Sequence, residues 1–399
     1  MIKRDFYIKK LEMYKDSNLI KVLTGVRRSG KSTILEMFRQ VLIASGVDEK
    51  QTLVLNFERM ENRQLLETEN LFRFLEGKLL KKKKNYVFLD EIQNVKEFER
   101  VLDGLYADSN VDLYVTGSNA KFLSSDLATL VAGRYVEIKV YPLSFLEYVS
   151  AFDDKSNLME MYDTYIKYGA FPEAVNLFKK NPESVYVYLQ DVYETVILKD
   201  VVIKKRIKDE AMLQDVTKFL FDNIGNISNP KKISDYLTAN NRKVSNHTIK
   251  KYLQSLTDSF VIYPVDRYDI KGKNILQTLK KYYVVDLALR RLLSDTSAMD
   301  YGRILENVVY LELLRRYQKV WIGKNRQKEI DFVTRDFNGV VIYYQVSLSV
   351  RDEKTRAREM SSFAVKDNHQ KILLTLDHEE GIENGVLQKN VLKWLLQNK

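Results

Sequence analysis

The segment Gly25-Val26-Arg27-Arg28-Ser29-Gly30-Lys31-Ser32 constrains this chain more than any other. It fits G-x-x-x-x-G-K-[ST], a pattern that needs a strand before it and a helix after it. The apolar run Leu19 to Thr24 supplies the strand, and Lys31 through Val41 reads as the helix. Gly25 and Gly30 permit a tight backbone that turns successive N–H groups toward phosphate oxygens. Lys31 places an ammonium at the β- and γ-phosphates, and Ser32 offers a hydroxyl to Mg²⁺. Arg27, Arg28, Ser29 and Thr33 complete the predicted phosphate-facing loop and first helical turn, whose dipole favours an anion.

Tyr86-Val87-Phe88-Leu89-Asp90-Glu91 is an apolar strand ending in two carboxylates. Asp90 is placed to hold Mg²⁺ through water, and Glu91 to polarise an attacking water as general base. A third strand, Val111 to Thr116, ends in Gly117-Ser118-Asn119, so that Asn119 or Ser118 could meet a γ-phosphate or the lytic water. The same tripeptide is also ordinary turn chemistry. Arg134, just before the run Val136 to Val140, is a candidate arginine finger or sensor, either for its own nucleotide or for a neighbour's. Short apolar strands alternating with amphipathic helices predict a mostly parallel sheet covered on both faces.

Val22 to Leu35, Phe88 to Gln93, Thr116 to Asn119 and Gly133 to Phe145 together resemble the AAA-type P-loop ATPases of prokaryotes that carry a carboxy-terminal domain of unknown function. The likeness extends over nearly the whole chain. It implies ATP and Mg²⁺ as ligands and leaves the biological role open.

Beyond the P-loop region, Phe145 to Lys205 reads as helical. Three helices follow, at Asp209 to Ile224, from Pro230 to Leu237 and from Ser245 to Leu256, with Ser245 as N-cap. Val261 to Tyr268, a Lys271-Gly272-Lys273 turn and Tyr282 to Val285 could form a wing, giving the order of a winged helix-turn-helix. Asn246, His247, Lys250 and Lys251 would then face solvent as candidate DNA contacts; alternatively the module packs against protein.

The last hundred residues read α-β-β-β-α-β, which resembles the restriction-endonuclease-like core. Its pattern wants a helix glutamate, an aspartate on the second strand and Glu-x-Lys on the third. Glu306 and Asp331 match, whereas Gln345 and Ser347 stand where the glutamate and lysine belong. Lys324 or Lys328 could swing in from the preceding turn, but a catalytically degenerate domain is the expectation. The predicted fold is therefore α/β: a P-loop NTPase parallel sheet (1–145), a helical subdomain (146–206), a winged helix (207–300) and a restriction-endonuclease-like α/β domain (301–399).

Composition narrows the chemistry. The absence of cysteine excludes disulfides, thiolate zinc sites, iron–sulfur clusters and a cysteine nucleophile. Only His247, His369 and His378 remain for imidazole ligands. Lysine and arginine outnumber acids by 64 to 54, which suits a polyanionic partner such as DNA and equally a solvated basic surface. No apolar run reaches the ~18 residues of a membrane span, and Met1 to Lys10 has no signal-peptide core, so a cytoplasmic location without membrane contact is expected, with homo-oligomerisation left open.

Overall fold

The computed structural model describes residues 2–118, 133–195, 200–205, 207–294, 300–325 and 328–397. These divide into two compact units, Met1–Pro142 with Asp258–Phe260, and Leu143–Thr257 with Val261–Lys399.

The first unit is built on five parallel strands: β1 (Ile20–Thr24), β2 (Thr52–Asn56), β3 (Asn85–Asp90), β4 (Val111–Gly117) and β5 (Tyr135–Lys139), in the spatial order β2-β3-β4-β1-β5. Every residue of β1 and β3 is buried, because helices cover both faces. Alternation divides each strand between two cores. Val22, Val87 and Leu89 pack with Leu71 and Leu75 of the helix Thr68–Lys78 and with Val101 and Leu102 of the helix Phe98–Tyr106. Leu23, Tyr86 and Phe88 pack with Ile34, Phe38 and Leu42 of the helix Lys31–Ala44. The strand order shapes the carboxyl edge of the sheet, since β4 lies between β1 and β3 and brings its own end between theirs.

The second unit begins with the helices Phe145–Ser150, Leu158–Tyr168, Pro172–Lys180 and Glu183–Val192. Ser144 and Glu147 form a reciprocal capping box that starts the first of them. Further along come the helices Glu210–Asp222, Pro230–Ala239 and Asn246–Asp258. Ser245 caps the last through its hydroxyl, 3.1 Å from the Thr248 N–H. Between and after them lie β6 (Ile227–Ser228) and the antiparallel hairpin β7 (Ile262–Asp269) and β8 (Asn274–Val284), with β6 pairing β8. The strand predicted at 282–285 thus starts eight residues earlier.

After the helix Tyr301–Arg316 the chain forms β9 (Lys319–Asn325), β10 (Lys328–Arg335), β11 (Val341–Val346), the helix Glu353–Ser362 and β12 (Gln370–Thr375). It then adds β13 (Gly381–Glu383), β14 (Val386–Asn390) and a final helix Val391–Leu395, none of which was predicted from the sequence.

One nine-stranded sheet, β13-β14-β12-β11-β10-β9-β7-β8-β6, joins everything from β6 onward. The joint is a parallel pairing in which Arg267, Tyr268 and Asp269 of β7 face Ile322, Gly323 and Lys324 of β9. A division at residue 300 therefore falls inside a continuous hydrogen-bonded layer. A division at 206 falls inside a unit as well. Asp286 accepts from the Ala170 N–H at 2.6 Å, and the helix Leu287–Leu293 packs on Leu158–Tyr168 and Glu183–Val192.

Candidate functional site

Three elements build the site at the carboxyl edge of the parallel sheet. The loop after β1 has left-handed backbone at Gly25 (φ +148°), Arg28 (φ +66°) and Gly30 (φ +92°). At Gly25 a side chain is impossible, since a Cβ would stand 2.1 Å from the Val140 carbonyl oxygen. Gly30 caps the helix Lys31–Ala44 without a side-chain acceptor, which leaves the first-turn N–H groups to an external partner. From the other side, the buried Arg4 holds the loop by donating to the carbonyls of Ser29 at 2.9 Å and Tyr141 at 2.8 Å.

Lys31 is buried, and its ammonium donates to the carbonyls of Gly25 at 3.1 Å and Val26 at 3.2 Å. It stands 3.8 Å from Glu91. Burial pulls it below the ordinary lysine range, against the opposing pull of Glu91 and Asp90. Ser32 and Thr33 begin the helix with exposed side chains, and Arg27 pairs with Glu58 at 2.7 Å.

Asp90 ends β3 and is gripped from both neighbouring strands. Asn56 of β2 donates to one carboxylate oxygen and Thr116 of β4 to the other, each at 2.6 Å. The Thr116 hydroxyl also accepts from the Glu91 N–H at 2.8 Å, fixing Glu91 in left-handed backbone (φ +53°). Gln93 donates to the Glu91 carboxylate. Asn56 and Thr116 were missed in the sequence; the available signal was a polar residue closing an apolar strand beside the Asp-Glu strand. A cavity of about 540 Å³ opens alongside, lined by Ser32, Asn56, Arg59, Asn62 and Asp90 among others.

Among the described residues, three buried polar atoms at this edge have no hydrogen-bond partner: Ser29 Oγ in the loop, Gln93 Oε1 after β3 and Ser118 Oγ after β4. Such atoms are costly unless a ligand or water meets them. Asn119 lies outside the described residues.

Arg134 requires a correction. It precedes β5, and the Ile20 N–H at the start of β1 donates to its carbonyl at 2.8 Å. It therefore sits at the amino edge of the sheet, one strand length (on the order of 15 Å) from the loop that follows β1. Its guanidinium pairs with Asp103 at 2.6 Å and lies over the Tyr106 ring. Action on its own nucleotide is ruled out by this position.

In the second unit, Asn246, His247, Lys250 and Lys251 are all exposed on the helix Asn246–Asp258, while Ile249, Leu253 and Leu256 are buried beneath them. The four remnant positions do not form one metal-binding group. Glu306 pairs at 2.9 Å with the ammonium of Lys281, a β8 residue not predicted to take part, and Asp331 acts on that ammonium electrostatically from beyond ion-pair distance. Gln345 turns to other partners, accepting from the Asp331 N–H at 3.2 Å and donating to Glu359 at 2.8 Å. The Ser347 hydroxyl donates to the Ser349 carbonyl. Lys328 donates toward the Ser361 carbonyl instead of entering the cluster.

Among the described residues no helix is long and apolar enough to cross a membrane.

Comparison with known proteins agrees with the loop and sheet. Residues 17–149 match an AAA domain family, and residues 159–300 match a domain of unknown function. An uncharacterized protein of Haemophilus influenzae is 39% identical over 402 residues, covering 100% of this chain and 99% of that protein. An uncharacterized protein of Methanocaldococcus jannaschii is 28% identical over 399 residues, covering 96% and 86%. Among solved structures, a Walker-type ATPase of Pyrococcus abyssi superposes with a TM-score of 0.51 at 15% identity, over 73% of this chain and 96% of that one, a likeness of fold. The glycine-bound loop, the Asp-Glu strand beside it and these matches place the chain in a prokaryotic family of AAA-type P-loop ATPases whose nucleotide-binding domain is followed by a domain of unknown function.

Proposed function

We propose that the amino-terminal unit binds ATP with Mg²⁺ and hydrolyses it, with Lys31, Ser32, Asp90 and Glu91 as the working groups. The observation that carries this reading is their convergence at one sheet edge, Lys31 3.8 Å from Glu91 and Asp90 fixed between Asn56 and Thr116. The residues suit the ligands. Gly25 lets the loop pass directly against the Val140 carbonyl, where no Cβ fits, and Ser29 and Ser118 have hydroxyls that no group among the described residues meets, leaving them for phosphate or water. The loop N–H groups from Arg27 to Thr33, with the guanidinium groups of Arg27 and Arg28, bind the phosphates. Lys31 exchanges two backbone carbonyls for phosphate oxygens, so its charge is delivered from a site already emptied of water. Ser32 and Asp90 are the residues that would hold Mg²⁺, which would supply charge neutralisation for the nucleotide's phosphates. Glu91, clamped at its backbone by Thr116, takes the proton of the attacking water, and Asn119 or Ser118 orients that water. Arg134 can serve only the nucleotide of a neighbouring subunit in a homo-oligomer. ATP turnover, followed as phosphate release, tests the reading: the native protein turns over and Lys31→Ala does not. Equal turnover by both would sink it.

The order helix, β6, helix, helix and β7–β8 hairpin supports a winged helix-turn-helix, with Asn246, His247, Lys250 and Lys251 as its DNA-facing residues. We infer that ATP turnover is coupled to DNA through this face. A second reading also has an observation behind it. The outer edge of β7 is already paired with β9, so only the hairpin tip at Lys271–Lys273 remains for DNA, and the module otherwise packs as a protein scaffold. Duplex binding that weakens steeply with salt favours the first. No binding at low salt, with or without ATP, favours the second.

A further inference from the structure

The cluster around Lys281 is unusual in that its members come from regions that the sequence assigns to different modules. Glu306 projects from the helix Tyr301–Arg316, Glu329 and Asp331 from β10, and Lys281 from β8. The Lys281 ammonium lies 2.9 Å from Glu306 and 2.7 Å from Glu329, and the lysine is only 5% exposed. Tyr283, two residues on along β8 and so on the same face, donates its hydroxyl to Glu306. Behind Glu306 the wall is closed by Gly225 (φ +70°), where a Cβ would already meet the carboxylate at 3.3 Å. Asp331 lies in an irregularity of β10 between Ile330 and Val333, where a bulge re-aims the side chain; it accepts from the Val346 N–H at 2.8 Å.

A nuclease site of this architecture would gather such carboxylates around a divalent ion. Here an ammonium is paired with Glu306 and Glu329, and Asp331 faces it from beyond ion-pair distance. An ion at the position of its nitrogen would be 2.7 and 2.9 Å from two carboxylate oxygens, slightly beyond the ~2.3–2.6 Å of Ca²⁺–oxygen bonds. Lysine and metal cannot share that place. Both are cations, and the oxygens that would bind the metal are the acceptors of the lysine's hydrogen bonds.

We propose that Lys281 is an internal counter-cation that fills the place of a divalent ion, so that the carboxy-terminal module holds no metal and cuts no phosphodiester bond. The electrostatics agree. Burial disfavours the charged lysine, yet Glu306, Asp331 and Glu329 outweigh it and hold Lys281 above the ordinary lysine range. Withdrawal of the side chain is opposed by its strand, since β8 is the shared partner of β6 and β7. This inference is independent of the ATPase reading, because every group in it belongs to the second unit.

The test is Mn²⁺ uptake by the nucleotide-free full chain, read as loss of the free-ion electron paramagnetic resonance signal. Native protein and Asp331→Asn should take up the same amount, because the cluster contributes none. Lys281→Ala, which removes the cation and leaves room, should bind one further Mn²⁺, and Lys281→Ala with Asp331→Asn should lose it. Lys281→Arg keeps a cation and should gain nothing. Native uptake that disappears in Asp331→Asn overturns the proposal, as does a folded Lys281→Ala that gains no ion. Should Lys281→Ala fail to fold, the comparison of native protein with Asp331→Asn and Glu306→Gln still decides it, an Asp331- or Glu306-dependent ion counting against.

Discussion

The two units each bury a lysine among carboxylates, and they do opposite things with it. Lys31 stands 3.8 Å from Glu91 and rests on two backbone carbonyls, while Lys281 is bonded directly to Glu306 and Glu329. Burial lowers the first below the usual lysine range; close carboxylates raise the second above it. A cation under-satisfied by its own protein is available to an outside anion. A cation fully matched inside is a structural bond. The same residue type in similar burial thus meets two settings: Lys31 rests on backbone carbonyls with one carboxylate at a distance, Lys281 on two carboxylates in direct contact.

The sharpest way to break this contrast is catalysis at the first centre. Glu91→Gln should cut ATP turnover by roughly 10²–10⁴-fold, the range lost with a general base. It should keep nucleotide binding, seen as a rise in Tm with ATP·Mg²⁺; unchanged turnover would remove Glu91 from its role.

Next comes the response of the apo protein to removing each charge. Lys281→Met leaves the half-buried Glu306 and Glu329, beside the buried Asp331, without their counter-ion and should cost about 3 kcal/mol. Lys31→Met removes a charge whose burial outweighs its carboxylate neighbours, and stability of the nucleotide-free protein should stay level or rise by ~1 kcal/mol. Urea unfolding followed by far-UV circular dichroism reads both units, and tryptophan fluorescence singles out the Lys281 centre, since both tryptophans, Trp321 and Trp394, lie in the second unit. A similar loss in both variants would erase the distinction.

Alkaline pH should separate the same centres more gently. For Lys281 the folded value lies above the unfolded one, so its contribution is complete below the ordinary lysine range and fades as pH rises above it. For Lys31 the folded value lies below, so the empty site gains stability as pH climbs through that lowered value toward the ordinary one. Urea midpoints of the native protein and Lys281→Met, taken between neutral and alkaline pH, should converge; parallel curves would mean that Lys281 is not held as described.

The smallest effect belongs to the exposed helix. Replacing Lys250 and Lys251 with alanine should flatten the salt dependence of DNA binding by about one unit per lost phosphate contact. An unchanged slope would hand that face to a protein partner.

How much of this was legible depended on whether the partners were neighbours in the chain. The loop from Gly25 to Ser32 and the Asp90-Glu91 strand end could be read directly, since each is contiguous and its chemistry is fixed by residue type. Asn56 and Thr116 escaped because their importance comes from strand order: only with β2 and β4 flanking β3 do both reach Asp90. Arg134 could have been placed correctly. A residue that precedes a parallel strand lies at the edge opposite to a loop that follows one. Lys281 was out of reach, because β8 is joined to β9 and β10 only through β7, a pairing between segments about fifty residues apart that no local pattern announces.

The β7–β9 pairing also governs how the chain emerges during synthesis. The β7–β8 hairpin is made first, and its outer row of amide and carbonyl groups stays bare until β9 follows some thirty-five residues after the hairpin ends. During that interval β7 is an open sheet edge, the kind of surface that templates pairing with another nascent chain. The strand that locks the two carboxy-terminal modules together is thus also the one whose delay most exposes the growing polypeptide to misassembly.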